Sequence, residues 1–351
     1  NCPWNRCAFC PVYKRRRFSR RTVQEVISDI DEVADAVELM GEDVSGLDSE
    51  QDRSRRIAGY LQSSHPGSAA QAAAWWMLRG QGTVFLQDAD PLSMSTEKLV
   101  RILEHLGKRL PDVTRVTAYA RTATLARRGT EKLAALRKAG LKRVHVGFES
   151  GSDRVLRLVE KGATFDQHVR GGRAAVEAGL ELSAYVMPGL GGRRLSREHA
   201  TDSARCIAEV QPHFTRLRTL AVTPRAAISQ MVTRGELEVM GDDDVVREIR
   251  IFIEGLASVE TRLRSDHILN LIGTLEGDLP GDHDLLLKRI DEYLSMDEDR
   301  RLMYRLGRRA GLFTGPGDLS DARAISRASA LLEEVGGDAA SVDLACRELM
   351  D

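Results

Sequence analysis

Hydrophobic positions along this chain follow two rhythms. Val23, Val26, Ile27, Ile30, Val33 and Val37 fall three or four residues apart, so 23–40 reads as a helix capped by Thr22. Residues 41–67 lose that rhythm and are rich in Asp, Ser, Arg and Gly, which predicts an irregular insertion with one short helix at 49–62. Residues 68–79 are helical again. From 83 onward, short apolar runs at 83–87, 115–119, 143–148, 182–187 and 216–222 alternate with helical stretches at 95–109, 130–139, 152–160, 165–178 and 196–210. That alternation predicts right-handed βαβ units on a parallel sheet. Beyond 226 no strand is expected, and helices are predicted at 242–257, 284–295, 298–309, 319–335 and 338–349. The fold expectation is α/β. A partial parallel barrel covers 1–225 and a helical C-terminal extension covers 226–351.

Composition narrows the function. The chain has 351 residues, 42% of them apolar, which is enough for a core and excludes wholesale disorder. Its 51 basic and 52 acidic residues leave a net charge of −1, which argues against a dedicated nucleic-acid-coating surface. No apolar run approaches the ~20 residues of a membrane span. Charge is nonetheless uneven, because the stretch 14–21 holds six basic residues in eight. That run reads either as a solvated loop face or as a docking patch for an acidic electron donor.

Five cysteines cannot all pair, and three of them, Cys2, Cys7 and Cys10, lie within nine residues. Such clustering reads as metal ligation in a reducing, cytoplasmic setting. Cys206 and Cys346 stand alone and are expected to be buried thiols. The C-x4-C-x2-C spacing can hold three corners of a [4Fe–4S] cubane and leave one iron open. It can equally serve a structural zinc, or a closed cluster completed by Cys206 or Cys346. Spacing alone leaves these alternatives open.

The polar sequences fall where a βα barrel carries its chemistry, just past the C-terminal ends of the expected strands. They are Asp88-Ala89-Asp90, Tyr119-Ala120-Arg121, Glu149-Ser150-Gly151-Ser152-Asp153, Pro188-Gly189-Leu190-Gly191-Gly192 and Thr223-Pro224. One such segment would be an ordinary loop. Five in register point to a shared site.

Cys2, Cys7, Phe9 and Cys10 resemble the signature loop of the radical S-adenosylmethionine (SAM) superfamily, with one extra residue between the first two cysteines. That longer spacing is similar to a cobalamin-independent branch of coproporphyrinogen-oxidase-like and Elongator-catalytic-subunit-like iron–sulfur oxidoreductases. The resemblance runs to about residue 290 and is most specific at 1–14 and 144–162. It implies a partial (β/α)6 TIM-type barrel, with the first strand expected before residue 1. It implies a [4Fe–4S] cluster on Cys2, Cys7 and Cys10 and SAM on the fourth iron. The cluster's electron would cleave SAM to a 5′-deoxyadenosyl radical that takes hydrogen from an unknown substrate. Asp88 and Asp90 would hold the amino group of SAM and Glu149 its ribose or sulfonium region. Gly189 and Gly191 would approach the adenine, Phe9 would pack on the adenine or the cluster, and Arg121 would take the SAM carboxylate or an anionic substrate. Tyr119, Arg264 and His267 would line the substrate mouth. A flavodoxin or ferredoxin reductase would dock at 14–21. The competing readings are a structural metal or iron–sulfur protein, and an electron-transfer or interaction module without SAM turnover.

Overall fold

The structure is a computed structural model and describes residues 1–80 and 82–349. The chain first forms three helices, α1 (Val23–Val44), α2 (Glu50–Ser63) and α3 (Ala69–Arg79). Thr22 and Glu25 close a capping box at the start of α1, each satisfying the other's free backbone N–H. The three helices bury a small core of their own, built on Met40, Val44, Ile57, Ala73 and Ala74. The 41–67 stretch is therefore mostly an ordered helix.

The sheet begins at β1 (Thr83–Leu86) and is followed by α4 (Thr96–Arg109), β2 (Arg115–Ala120), α5 (Thr122–Lys138) and β3 (Leu141–Glu149). Then come α6 (Asp153–Leu158), α7 (Phe165–Glu177), β4 (Glu181–Val186), α8 (Gly192–Val210), β5 (Phe214–Leu217), α9 (Ala227–Thr233) and α10 (Asp242–Glu254). The remainder is β6 (Thr261–Arg264), β7 (Gly277–Leu279), α11 (His283–Leu294), α12 (Glu298–Arg309), α13 (Ala322–Glu334) and α14 (Ala339–Glu348). The seven strands lie side by side in chain order. β1 to β6 are parallel and β7 runs antiparallel to β6. This is an α/β fold, a partial TIM-type barrel with a helical C-terminus.

The two faces of the sheet differ sharply. Along β3, Val144, Val146 and Phe148 are buried, while Arg143 and His145 on the opposite face are half-buried. The period of two places the apolar set under the helices and the polar set in the barrel interior. Gly171 and Gly172 bring α7 close to its neighbours. A Cβ on Gly171 would stand 2.5 Å from the Thr122 carbonyl, and one on Gly172 would stand 2.5 Å from Val210. Among the described residues no helix is long and apolar enough to cross a membrane.

Three expectations need correction. β5 spans 214–217, so the apolar stretch that follows has left the sheet. The region beyond 226 carries two strands where none was expected. In β6, Thr261 and Leu263 are buried while Arg262 and Arg264 face the interior, so the alternation of a strand is present with arginine in the inward positions. Finally, α5 begins at Thr122, eight residues before the expected start, and Gly129 at φ 74° breaks it in the middle.

His168 on α7 shows how this core constrains a titratable group. Its ring is fully buried, stacks on Phe148 at 4.7 Å, and holds Thr122 through Nδ1 at 2.8 Å. Nε2 has no partner. Burial first, then the positive charge of Lys161, pushes its pKa down to about 3 from 6.5. The unfolded chain therefore takes up this proton first as pH falls. Stability from this residue is complete above pH 6.5 and is lost progressively toward pH 3. Urea titrations should show the unfolding free energy falling through that window by up to about 1.4 kcal/mol per pH unit. His168→Gln should flatten the dependence, and an unchanged slope would contradict the assignment.

Candidate functional site

The cysteine loop docks onto the C-terminal ends of the strands through one short segment, Val159 to Gly162, just after α6. The Ala8 N–H donates to the Val159 carbonyl at 2.8 Å. The Trp4 indole N–H donates to the Glu160 carbonyl at 2.7 Å. The Cys7 thiol lies 3.9 Å from the Lys161 carbonyl. Gly162, at φ 64°, leaves room for the Trp4 ring, since a Cβ there would fall 2.3 Å from it. Ile228 on α9 closes the loop from the other side by donating to the Ala8 carbonyl at 2.9 Å.

All three cysteines are free and half-buried. Cys2 Sγ accepts the Asn5 N–H at 3.4 Å, and the Cys10 N–H donates to the Cys7 carbonyl at 3.3 Å. Burial raises the Cys7 thiol pKa, with Lys161 opposing that rise. Among the described residues no three His, Cys, Asp or Glu side chains converge tightly enough to hold a single metal ion. A cubane takes each thiolate on a different iron, so three free thiols on one fixed loop fit it.

Glu149 ends β3 at φ 65°, and its carboxylate meets Lys161 Nζ at 2.9 Å with both side chains almost fully buried. Gly147 makes this possible, because a Cβ there would fall 2.0 Å from the Glu149 carboxylate. Lys161 Nζ also lies 5.7 Å from the centre of the Phe9 ring, so the pair reaches the cysteine loop. Lys161 is the residue that sequence reasoning missed. A single lysine between a helix end and a glycine reads as solvated, and only its position opposite Glu149 marks it.

The two aspartates separate. Asp90 is buried, with Thr124 Oγ1 on one oxygen at 2.6 Å and the Arg121 N–H on the other at 3.4 Å. Both contacts come from the start of α5, so Asp90 ties the end of β1 to that helix. Burial raises its pKa. Asp88 is exposed and accepts the Tyr13 hydroxyl, within reach of the cysteine loop. Arg121 donates to the Lys161 and Gly162 carbonyls at 3.0 Å each and lies over Trp4 at 5.1 Å. It thus clamps the docking segment.

Gly189, at φ 85°, donates its N–H to the buried Glu248 carboxylate at 2.6 Å. The same Glu248 oxygen lies 3.7 Å from His199 Nε2, and His199 Nδ1 is 2.8 Å from the Ser150 hydroxyl. One buried chain therefore joins the end of β3 to the glycine loop after β4. Gly191 caps α8 and Gly192 is its first residue. Gly189 also lines a cavity of about 410 Å³ with Thr219, Asp242, Arg305 and Arg309. Tyr119 and Arg264 both sit on the inner sheet face. His267 lies past β6 with Nδ1 unpartnered, and burial and then Arg218 lower its pKa.

The Glu149–Lys161 pair is buried, so removing one partner strands the other charge. Lys161→Met should destabilise the protein by about 3–5 kcal/mol in urea titrations. The double variant Glu149→Gln/Lys161→Met should recover most of that loss. No recovery would mean that the pair does not act as a unit.

A sequence profile of the radical SAM superfamily matches residues 68–202, from α3 into α8. The heme chaperone HemW of Bacillus subtilis (strain 168) is 26% identical over 157 residues, 44% of this chain and 41% of that one. The chain thus spans about two fifths of that relative. Two solved structures are similar in fold. Coproporphyrinogen III oxidase (HemN) of Escherichia coli, a radical SAM enzyme, has a TM-score of 0.44 at 13% identity over 86% of this chain and 71% of that one. The archaeal Elp3 of Methanocaldococcus infernus, with an N-terminal deletion, has a TM-score of 0.45 at 16% identity over 68% of this chain and 58% of that one. The profile lies across the parallel strands, so residues 68–202 of this chain are similar to the radical SAM superfamily.

Proposed function

We propose that this protein is a radical SAM enzyme that holds a [4Fe–4S] cluster on Cys2, Cys7 and Cys10. One observation carries the reading: three free thiols sit on a single loop fixed to the strand ends by Trp4, Ala8 and Cys7. Three thiolates leave one of four irons for a chelating ligand. When bound, the cluster and SAM together supply one-electron cleavage of the sulfonium and a carbon radical that removes hydrogen from a substrate.

The chain's own residues bind, orient and shield. Asp88 is placed to accept an ammonium, with Tyr13 fixing one of its oxygens. The Glu149 carboxylate is held by Lys161 and is available to a ribose hydroxyl through its other oxygen. The Gly189 loop, pinned by Glu248, offers backbone to a flat base. Phe9 packs with the apolar cluster of Val155, Val159, Leu190 and Ile228 beneath the cysteine loop.

A second reading draws on the heme chaperone relative. In it, the chain binds SAM and a ligand such as heme without turnover. Anaerobic reconstitution followed by a SAM-cleavage assay separates the two. Wild-type protein with dithionite should release 5′-deoxyadenosine, and Cys2→Ala should release none. A Cys2→Ala variant that still makes it would sink the cluster assignment, while SAM binding without cleavage in the wild type favours the second reading.

The electron donor is proposed to be a flavodoxin or ferredoxin docking at 14–21. Arg15, Arg16, Arg17 and Arg20 are exposed there, and Lys14 reaches back to the Asn5 carbonyl inside the cysteine loop at 3.1 Å. Raising ionic strength should slow reduction by flavodoxin and leave reduction by dithionite unchanged. Equal salt effects on both would remove the docking role.

A further inference from the structure

Two routes of contact link the loop after β3 to the glycine loop after β4, and the protein's own groups close only one of them. The first runs through His199 on α8. Its Nδ1 meets the Ser150 hydroxyl at 2.8 Å and its Nε2 meets the Met187 carbonyl at 3.1 Å. Ser150 Oγ also accepts the Ser152 N–H at 3.0 Å. With the Ser150 proton on Nδ1 and the Nε2 proton on the carbonyl, every group on this route has a partner.

The second route starts one helical turn further along α8, at Ser203, which shares a face with His199. The Ser203 hydroxyl oxygen accepts the Gly151 N–H at 2.9 Å. At the far end, Glu248 on α10 accepts the Gly189 N–H through Oε1 at 2.6 Å. Between these two side chains the route stops. Among the described residues the Ser203 proton has no acceptor and Glu248 Oε2 has no donor. Ser203 and Glu248 are both almost fully buried, so bulk solvent does not serve them. They share instead the lining of a cavity of about 10 Å³, walled otherwise by His199 and by apolar residues such as Val186, Ala200, Ile249 and Phe252.

Buried polar atoms in native proteins are paired with protein groups or with ordered water. One water needs about this much space and at least two polar partners. One free donor and one free acceptor line the cavity, so it supplies both requirements. A metal cation would find too few oxygens. We infer that one water molecule binds here, accepting from Ser203 and donating to Glu248 Oε2, and that the link it completes makes Glu248 a positioning residue for SAM at the Gly189 loop. The cofactor half of this inference rests on the reading above, in which that loop meets the base of SAM. Glu248 lies on α10, beyond all five strand-end segments, so the aim of the Gly189 amide is set from outside the cofactor site.

Diffraction from crystals of the reconstituted protein tests the water directly. A density peak within hydrogen-bond reach of Ser203 Oγ and Glu248 Oε2 is expected, and an empty cavity overturns the inference. Calorimetric titration with SAM tests the positioning. Glu248→Leu keeps the bulk and removes the acceptor, so it should weaken SAM about tenfold while the cluster's visible absorbance stays unchanged. Glu248→Gln keeps an acceptor for Gly189 and should bind SAM within about threefold of wild type. Backbone hydrogen exchange over 187–192 should quicken in Glu248→Leu and not in Glu248→Gln. Equal SAM affinity in all three proteins overturns the positioning role, as does a loss of the same size in both variants. If Glu248→Leu does not fold, Ser203→Ala takes its place. That variant removes the water's partner on α8 and should weaken SAM in the same direction, and unchanged affinity overturns the role. Failure of the wild type to bind SAM sinks the cofactor reading, while the density peak and the exchange difference still decide the water and its link to Gly189.

Discussion

The site depends on a single turn of chain. Between Val159 and Gly162 the backbone presents four carbonyls in succession after α6 has ended, and each has a partner from elsewhere. Ala8 and Trp4 take the first two, and Arg121 takes the last two. The side chain of Lys161 then points the other way and neutralises Glu149. Burying a lysine and a glutamate costs several kcal/mol each unless they meet with good geometry and their surroundings are satisfied. That requirement fixes the turn, and the turn fixes the cysteine loop. A loop of small and polar residues with no regular hydrogen bonding of its own thereby becomes a defined platform.

The sheet gives this platform its second boundary. In a closed eight-stranded barrel the interior is filled by branched apolar residues. Here the apolar residues of β2, β3 and β4 lie under the helices, and the interior row is aromatic and cationic. The lower arginines are retained by stacking as well as by ion pairs. Arg143 lies over Phe214 at 4.5 Å and Arg262 over the same ring at 5.7 Å, while Glu181 and Asp278 take their charges.

Much of this was legible in the sequence, and the failures have physical causes. The strands β1 to β4 announced themselves because their outward faces are continuous with an apolar core, and the glycine and acidic loops after them followed from that register. β6 was hidden because half of its residues face a cationic interior, so a correct alternation looked like a polar cluster. Asp90 was read as a ligand because it stands at a strand end, and its contacts to Arg121 and Thr124, more than 30 residues away, could not be read from the sequence. Arg121 was expected to bind an anion, and its donation to two carbonyls of the docking turn, some 40 residues away, was not legible in the sequence. Lys161 and Trp4 act through partners more than 10 residues away, and no local pattern encodes such pairing.

The Ser150–His199–Glu248–Gly189 chain has a consequence for how this protein can vary. Its four members come from two strand-to-helix loops and from helices α8 and α10, yet they meet in one buried space. Glu248 keeps one oxygen without a partner there. A change at any one position leaves an imbalance that only a change at another can correct. Among homologues, positions 150, 199 and 248 should therefore be inherited as a set, with Gly189 retained wherever the set is kept. Two loops that look independent along the chain are, in this respect, one heritable unit.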